Sequence, residues 1–291
     1  MNILVVGAGR AGSALSKALR EAGASVRLRP LRRGIPKRGY PPADLVVLAL
    51  RDRAIAPFAK ELAQRGALPP GAVVLHLAGG VHVDALSPLR GHVAGIGAAH
   101  PLLSFASPKC APSFRGALLS LRGDARALRA GRRLARLLGA RAVDGNQVDA
   151  SAYHAAAALL ANGAVALADG ADHVFRQAGM PPGVSAAGLA VLLRSVAQNI
   201  EIVGISAALS GPVLRGDSGT VRAHLAALAE EPELLDIYRL LARRQLEIAA
   251  RGSPRSAPAR AELAALLGTS KKRPERKIAP TLKRPRRHKN S

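Results

Sequence analysis

Three closely spaced glycines follow the first apolar run of the chain, and no other feature constrains its fold as strongly. MNILVV leads into GAGRAG, so Gly7, Gly9 and Gly12 stand between a strand-like segment and an amphipathic helical pattern over 11–22. A second strand-like segment, Ser25–Arg29, follows at the distance that completes a β-α-β unit. In that context a G-x-G-x-x-G turn predicts a dinucleotide-binding site, although an α/β turn that binds no nucleotide has the same form.

Each glycine has a physical role in such a site. Gly7 permits the tight turn, Gly9 lets the backbone approach a pyrophosphate, and Gly12 lets helix and strand pack closely. The helix N-terminus adds free N–H groups and the positive end of its dipole. We therefore predict the following cofactor contacts in and beside the turn: Gly7, Ala8, Gly9, Arg10, Ala11, Gly12, Leu50 and His76.

The end of the second strand indicates which dinucleotide is bound. An Asp or Glu there accepts hydrogen bonds from the ribose of NAD, but VRLRPLRR contains none, and no acid occurs between Glu21 and Asp44. Arg29, Arg32 and Arg33 instead suit a 2′-phosphate. NADP(H) is thus favoured over NAD(H), unless these arginines only reflect the general arginine richness of the chain.

The apolar pattern divides the chain into two halves. Short continuous apolar runs at 3–6, 45–50, 73–77, 93–98 and 117–121 alternate with helical patterns such as 125–138. This predicts an α/β, Rossmann-like, doubly wound and mostly parallel sheet over residues 1–147. From 148 to 252 only helical patterns occur, which indicates an all-helical domain for substrate binding and dimerisation.

The remaining residues, 253–291, are predicted to be a linker and a basic tail, with one short helix at 260–267. Residues 271–291 contain ten Lys/Arg against the single acid Glu275, and the whole chain has a formal charge of +24. Like charges and prolines cannot build a core, so we expect disorder from about residue 269. The tail could contact nucleic acid or another polyanion, but a solubilising extension is the favoured interpretation.

Several classes of protein are not expected. Cys110 is the only cysteine, so no internal disulfide and no cysteine-based metal site is predicted. The N-terminus has no signal-peptide pattern. The most apolar stretch is interrupted by His154, Asn162 and Asp169, which argues against a membrane span. The sequence predicts a soluble, cytoplasmic protein.

Histidines are the candidate catalytic groups. His100 lies at the predicted carboxyl end of a strand, the edge where open α/β sheets place ligands, and Ser104 follows in the next loop. His154 and Asn162 are eight residues apart on a predicted helix, about 80° around its axis, so both can face one cleft. We predict His100 and His154 as acid or substrate contacts and Ser104 and Asn162 as orienting groups. A purely structural role for either histidine stays open.

Two further polar features have alternative interpretations. In SGPVLRGD, Arg215 could bind a substrate carboxylate, but the favoured interpretation is that Asp217 caps a helix. Cys110, beside Lys109, could be a reactive thiol, but with no identified base it is more simply a bystander.

The motifs VVGAGRAGSAL, DLVVLALRD, VVLHLAGG, AHPLLSF, YHAAAALLAN and LSGPVLRGD together resemble a bacterial family that joins a Rossmann-like domain to domain of unknown function 2520. The resemblance extends over 1–250. More distantly the chain is similar to the superfamily of pyrroline-5-carboxylate reductase, ketopantoate reductase and the β-hydroxyacid dehydrogenases. The resemblance implies an NADP oxidoreductase with its cofactor between the two domains and a homodimer formed by the helical domain.

One departure from the superfamily concerns its catalytic lysine. β-Hydroxyacid dehydrogenases and ketopantoate reductases place a lysine four residues before an asparagine on the first helix of the second domain. The matching asparagine here is Asn162, and the residue four before it is Ala158. No lysine occurs between Lys109 and Lys271.

Two functional hypotheses follow. The first is an NADP(H)-dependent oxidoreductase that reduces a small carbonyl or imine substrate bound between the two domains. The second is a non-catalytic Rossmann-type NADP sensor or scaffold whose basic tail contacts nucleic acid or another polyanion. The low aromatic content, 2% with no Trp, argues against a stacking surface for single-stranded nucleic acid.

Overall fold

A computed structural model describes residues 1–107, 110–252 and 257–268 of the chain. Its first part is a seven-stranded sheet with the strand order β2-β1-β3-β4-β5-β6-β7. The strands are β1 (Asn2–Val6), β2 (Ser25–Arg29), β3 (Leu45–Leu48), β4 (Val73–His76), β5 (Gly95–Pro101), β6 (Leu118–Gly123) and β7 (Arg141–Asp144).

All neighbouring strands run parallel except β5 and β6, which are antiparallel. The predicted α/β class with a mostly parallel sheet is therefore confirmed. The register aligns His76 with Ala98 and Ala98 with Arg122 across three adjacent strands. Because directly opposite residues point to the same face, the His76 and Arg122 side chains share one face of the sheet.

Helices cover both faces of the sheet and complete a core on each. They are α1 (Arg10–Glu21), α2 (Asp52–Gln64) and α3 (Ala125–Leu138), with 3-10 helices at Leu31–Arg33 and Val83–Leu89. One core cluster contains Leu48, Ile55 and Leu86, and the other contains Leu15, Leu75 and Leu134. Continuous apolar strands such as LVVL and VVLH are fully buried for this reason.

In the second part of the chain, every regular element of the described residues beyond β7 is a helix. The helices are α4 (Ala150–Gln177), α5 (Val184–Ala207), α6 (Pro212–Arg215), α7 (Ser218–Ala227), α8 (Pro232–Gly252) and α9 (Ala257–Leu266). Asp217 caps α7 by accepting a hydrogen bond from the Thr220 N–H at 2.9 Å. The predicted capping role is confirmed, and Arg215 lies exposed beside it.

The chain divides into two compact units, one of residues Met1–Ala166 and one that begins at Leu167. This division lies inside α4, later than the predicted boundary at 147/148. In the first turns of α4, Tyr153 and His154 contact His100 of β5. The predicted disorder after residue 269 lies outside the described residues.

The α4 and α5 helices expose most of their apolar side chains. Fourteen of the twenty-one exposed large hydrophobic residues in the described chain lie on these two helices, and no residue of α4 is buried. Both α4 and the helical run Val184–Arg215 are long and apolar enough to cross a membrane, despite the polar interruptions noted in the sequence. Core helices of soluble proteins have the same length and composition but are mostly buried, unlike these two helices.

Candidate active site

The turn from β1 into α1 has the geometry that the three glycines predict. Gly7 has φ +111°, and a Cβ there would lie 2.2 Å from the Ala49 carbonyl oxygen. A Cβ on Gly12 would lie 1.9 Å from the Gly7 oxygen. At Gly9, by contrast, a Cβ would meet no atom within 4 Å. Two glycines are thus required by packing, while Gly9 leaves open space for a ligand to approach the backbone.

The N-terminus of α1 is available to an anion. Gly9 is its N-cap, no side chain caps the helix, and the first turn contains no acid. The exposed Arg10 side chain donates to the Ala106 oxygen at 3.2 Å, and the Ser13 hydroxyl donates to the Ala8 oxygen at 3.2 Å. The N–H groups and the positive dipole end of α1 therefore face a position suited to phosphate. Leu50 lies beside this turn, 3.1 Å from the ideal Cβ position of Gly7.

The three arginines after β2 have different surroundings. Arg29 donates to the carbonyl oxygens of Gly34 and Arg33 at 3.2 Å each, and its guanidinium lies 5.9 Å from the centre of the Tyr40 ring. It therefore stabilises the turn that follows β2. Arg32 and Arg33 are exposed, and no hydrogen bond or ion pair of their side chains occurs within the described chain.

At the carboxyl ends of β4 and β5 the structure brings together His100, Tyr153 and His154. The His100 ring centre lies 5.5 Å from the Tyr153 ring and 6.1 Å from the His154 ring, both edge-on. The two glycines after β4 make room for them. A Cβ on Gly79 would lie 2.7 Å from His100 Nε2, and one on Gly80 would lie 3.4 Å from the His154 ring.

The hydrogen bond of His100 fixes its tautomer. Nδ1 lies 2.8 Å from the Leu77 carbonyl oxygen, which can only accept, so Nδ1 carries the proton and Nε2 is left to exchange one. Burial lowers the pKa of His100 below its ordinary value, and the charges of His154 and Arg122 lower it further against the opposing Leu77 bond. The ring is neutral at neutral pH.

His76 lies in the same cluster but is fully buried. Burial, followed by the Arg122 charge, lowers its pKa to about 4. Neither ring nitrogen makes a hydrogen bond of ordinary geometry to a described residue, although the backbones of His82 and Ala78 lie close enough to oppose the lowering of the pKa. The predicted contact between His76 and a cofactor would require this cluster to open.

Two other predicted residues are not brought into the cluster. Ser104 is exposed in the loop after β5, and Asn162 is exposed on α4, with no hydrogen bond to another described residue for either side chain. Cys110 is exposed and unpaired by any disulfide. Within residues 1–107, 110–252 and 257–268, no group of three or more His, Cys, Asp or Glu is placed to hold a metal ion.

Two residues of the cluster were not predicted from the sequence. Tyr153 directly precedes His154 on α4, and its ring contacts His100. Arg122 lies on β6 and is 6% exposed. The available signal was an arginine inside an apolar strand, LLSLRG, where a charge is expensive unless it has a partner or a function.

Comparison with known proteins finds a family match for part of the chain. Residues 117–245 match the family described as Domain of unknown function (DUF2520). The resemblance predicted from the motifs is confirmed. No curated protein matches the sequence.

Three solved structures share the fold. A proposed NADP oxidoreductase from Bacteroides fragilis is 21% identical, with a TM-score of 0.65 over 84% of this chain and 98% of that one. A protein from Thermotoga maritima is 21% identical, with a TM-score of 0.64 over 86% and 98%. A pyrroline-5-carboxylate reductase from Coxiella burnetii is 16% identical, with a TM-score of 0.56 over 86% and 97%. The chain therefore has the fold of Rossmann-type oxidoreductases.

Proposed function

We propose that this protein is an NADP(H)-dependent reductase of a small carbonyl or imine compound. The observation that carries the proposal is the turn at Gly7–Gly12, where packing requires two glycines and the third leaves the backbone open. The uncapped N-terminus of α1 suits a pyrophosphate, and the exposed Arg32 and Arg33 suit a 2′-phosphate. A bound reduced nicotinamide would supply the hydride for the reduction.

In this reaction His100 exchanges the proton that accompanies the hydride. Its Nδ1–H is held by the Leu77 oxygen, so Nε2 is the atom that faces a substrate oxygen or nitrogen. Because its pKa is lowered, the neutral ring accepts a proton in the oxidation direction and must be protonated before it can donate one in the reduction direction. His154, with its ring 6.1 Å away, is the exposed neighbour through which that proton arrives.

The cofactor assignment is tested by fluorescence titration with NADPH and NADH. Replacing Arg32 and Arg33 together by Ala should weaken NADPH binding by about tenfold or more, since charge-assisted hydrogen bonds contribute about 1.5–3 kcal/mol, and should leave NADH binding nearly unchanged. The matched control is Lys37→Ala with Arg38→Ala, two exposed cations of the same loop. Equal losses for both cofactors would refute the 2′-phosphate assignment, and no NADPH binding at millimolar concentration would refute the proposed function.

The role of His100 is tested by the pH dependence of NADPH oxidation with a panel of small 2-oxo acids, ketones and cyclic imines. Because the pKa of His100 is lowered from 6.5, the protonated ring that donates in the reduction direction forms only at lower pH. The reduction rate should therefore rise as the pH falls below 6.5. His100→Asn keeps a donor for the Leu77 oxygen and removes Nε2, so this pH dependence should disappear. An unchanged profile would exclude His100 as the proton-exchanging group.

We further propose that α4 and α5 form the interface of a soluble, cytoplasmic homodimer. Leu159, Leu160 and Ile202 are at least 70% exposed, and an apolar helix of this kind is stable in water only when another surface covers it. Sedimentation of the protein without detergent should give a dimer, and Ile202→Lys should give a monomer. The control Leu31→Lys changes a 38% exposed leucine of the sheet unit and should leave the dimer intact. Partition into detergent or vesicles instead would identify a membrane as the partner.

A further inference from the structure

Arg122 is a buried cation whose bonding capacity is almost unused. Only its Nη1 has a partner in the described chain, the Gly79 carbonyl oxygen at 3.3 Å, while Nε and Nη2 are shielded from solvent and have none. Its guanidinium carbon lies 5.6 Å from the centre of the Tyr153 ring. The Tyr153 hydroxyl beside it is likewise buried without a partner. A buried guanidinium normally recovers its lost hydration from an anion, and Nε and Nη2 of Arg122 are two donors suited to one.

The carboxylates of the same region do not supply that anion. A cleft of about 500 Å³ reaches Arg122 and is also lined by Asp84, Asp124 and Asp149. None of them lies within 4.0 Å of the guanidinium nitrogens, because each is bonded elsewhere. Asp124 accepts from the N–H groups of Ile96, Arg126 and Ala127, Asp149 accepts from Ala152 N–H, and Asp84 pairs with His82 and Arg90.

The position of Arg122 excludes the cofactor pyrophosphate as its partner. β6 is four strands away from β1, which carries the glycine turn, and at about 4.8 Å per strand the two are roughly 19 Å apart. Arg122 instead shares a contact with His100. The Gly79 oxygen accepts from Arg122, and the Cβ position of Gly79 lies 2.7 Å from His100 Nε2.

We infer that Arg122 binds a carboxylate group of the substrate through Nε and Nη2, and that the Tyr153 hydroxyl donates a further hydrogen bond to it. The inference rests on the proposed function and gives the substrate a chemical class. Arg122 and His100 both contact Gly79. A substrate that reaches both side chains therefore has its carboxylate only a few bonds from the reacting carbon. The substrate is therefore a small 2-oxo or 2-imino acid rather than a neutral ketone or imine.

Access to the free donors of Arg122 requires a movement of the Tyr153 ring. Nε, Nη2 and the Tyr153 hydroxyl are all covered, so the carboxylate reaches them only when the Tyr153 ring swings away from Arg122. Tyr153 lies in the first turns of α4, where its ring packs against Arg122 and its hydroxyl has a hydrogen bond left to give to the carboxylate.

The test uses the full chain, with and without saturating NADPH, and C3–C6 2-oxo acids each paired with its uncharged amide. In the wild type the acids should raise the melting temperature and the amides should not. Arg122→Met should weaken acid binding by about tenfold or more without weakening NADPH binding. Its melting temperature without ligand should be equal or higher, since an unpaired buried charge is replaced by an apolar side chain. The control Arg126→Met removes an exposed guanidinium that donates to the Ala94 oxygen and should not change acid binding.

Tyr153→Phe keeps the ring and removes the hydroxyl, so acid binding should weaken several-fold with no loss of stability. If Arg122→Met does not fold, the loss of acid binding in Tyr153→Phe tests the carboxylate site on its own. Acids and amides that act alike on the wild type would overturn the inference, as would variants of Arg122 and Tyr153 that bind acids normally. Failure of NADPH binding alongside a normal acid response would overturn the proposed function and leave the carboxylate site.

Discussion

The sheet and the long helices of this chain are built from similarly apolar sequences but differ in what covers them. Every residue of β3 and β4 is buried, because helices of the same unit pack on both faces of the sheet. The α4 helix has no buried residue in 28, and α5 has only Ser185 and Leu189. Apolar composition alone therefore does not place a residue in a core. The sheet completes its core within one chain, whereas the exposed apolar side chains of α4 and α5 are those of the proposed dimer interface.

The largest expected difference between the two regions concerns leucine truncation. Leu75→Ala in the sheet removes a fully buried side chain and should lower the free energy of unfolding by about 2–5 kcal/mol. Leu160→Ala on α4 removes a side chain that is 75% exposed and should cost less than about 0.5 kcal/mol in a dilute sample. Urea unfolding at low and high protein concentration measures both. If Leu160→Ala costs as much as Leu75→Ala at every concentration, the contrast between the regions is wrong.

The next effect is the pH dependence of stability, which should arise in the sheet unit. His76 has a folded-state pKa of about 4 against an ordinary value of 6.5, so the unfolded chain binds more protons between these values. The stability contributed by neutral His76 should be full above pH 6.5 and should fall by on the order of 3 kcal/mol as the pH drops to 4. His76→Gln should flatten this part of the stability profile, and the exposed control His92→Gln should not. A wild-type profile without a slope between pH 6.5 and 4 would contradict the expectation.

A smaller effect compares two helical glycines. A Cβ on Gly131 of α3 would lie 2.7 Å from Leu121 Cδ2, whereas one on Gly188 of α5 would meet nothing within 4 Å. Gly131→Ala should therefore destabilise by about 1–3 kcal/mol through overpacking. Gly188→Ala should stabilise by about 0.5–1 kcal/mol through helix propensity. Thermal unfolding of the two variants measures both changes in stability. Changes of the same sign would refute the distinction between Gly131 and Gly188.

The smallest effect is expected from the basic tail. Deleting residues 269–291 removes ten cations and should change the free energy of unfolding by less than about 0.5 kcal/mol, with NADPH affinity unchanged. Any binding of DNA by the full chain should weaken with salt and be lost in the truncated chain. Equal DNA binding by both forms would exclude the tail as the contact.

Local patterns were sufficient to predict much of the fold. The apolar runs predicted five of the strands, and the segment after the glycine turn predicted β2, because continuous apolar runs of this length suit a covered parallel sheet. β7, RAVD, was missed because all four of its residues are exposed at the sheet edge and carry no apolar periodicity. The antiparallel pairing of β5 with β6 was also missed, since a run of apolar residues does not encode strand direction.

The site was predictable only where it is local in sequence. Gly7, Gly9 and Gly12 are contiguous with the strand and helix that they join, so the geometry of the turn followed from their spacing. Arg122 and Tyr153 join the histidines through the registers of β4, β5 and β6 and the start of α4, which no short motif encodes. The sequence shows an arginine in an apolar strand, but it does not show which residues surround that arginine in the fold.

The contact between Gly79 and His100 has an evolutionary consequence. Any side chain at position 79 would occupy the space of the imidazole, whose nearest atoms lie 2.7–2.9 Å from the ideal Cβ. A side chain at position 79 is therefore disfavoured while His100 is present, and a smaller residue at 100 removes that restriction. Homologous sequences should vary at these two positions together, and a homologue that lacks the histidine should be recognisable by a side chain at the position of this glycine.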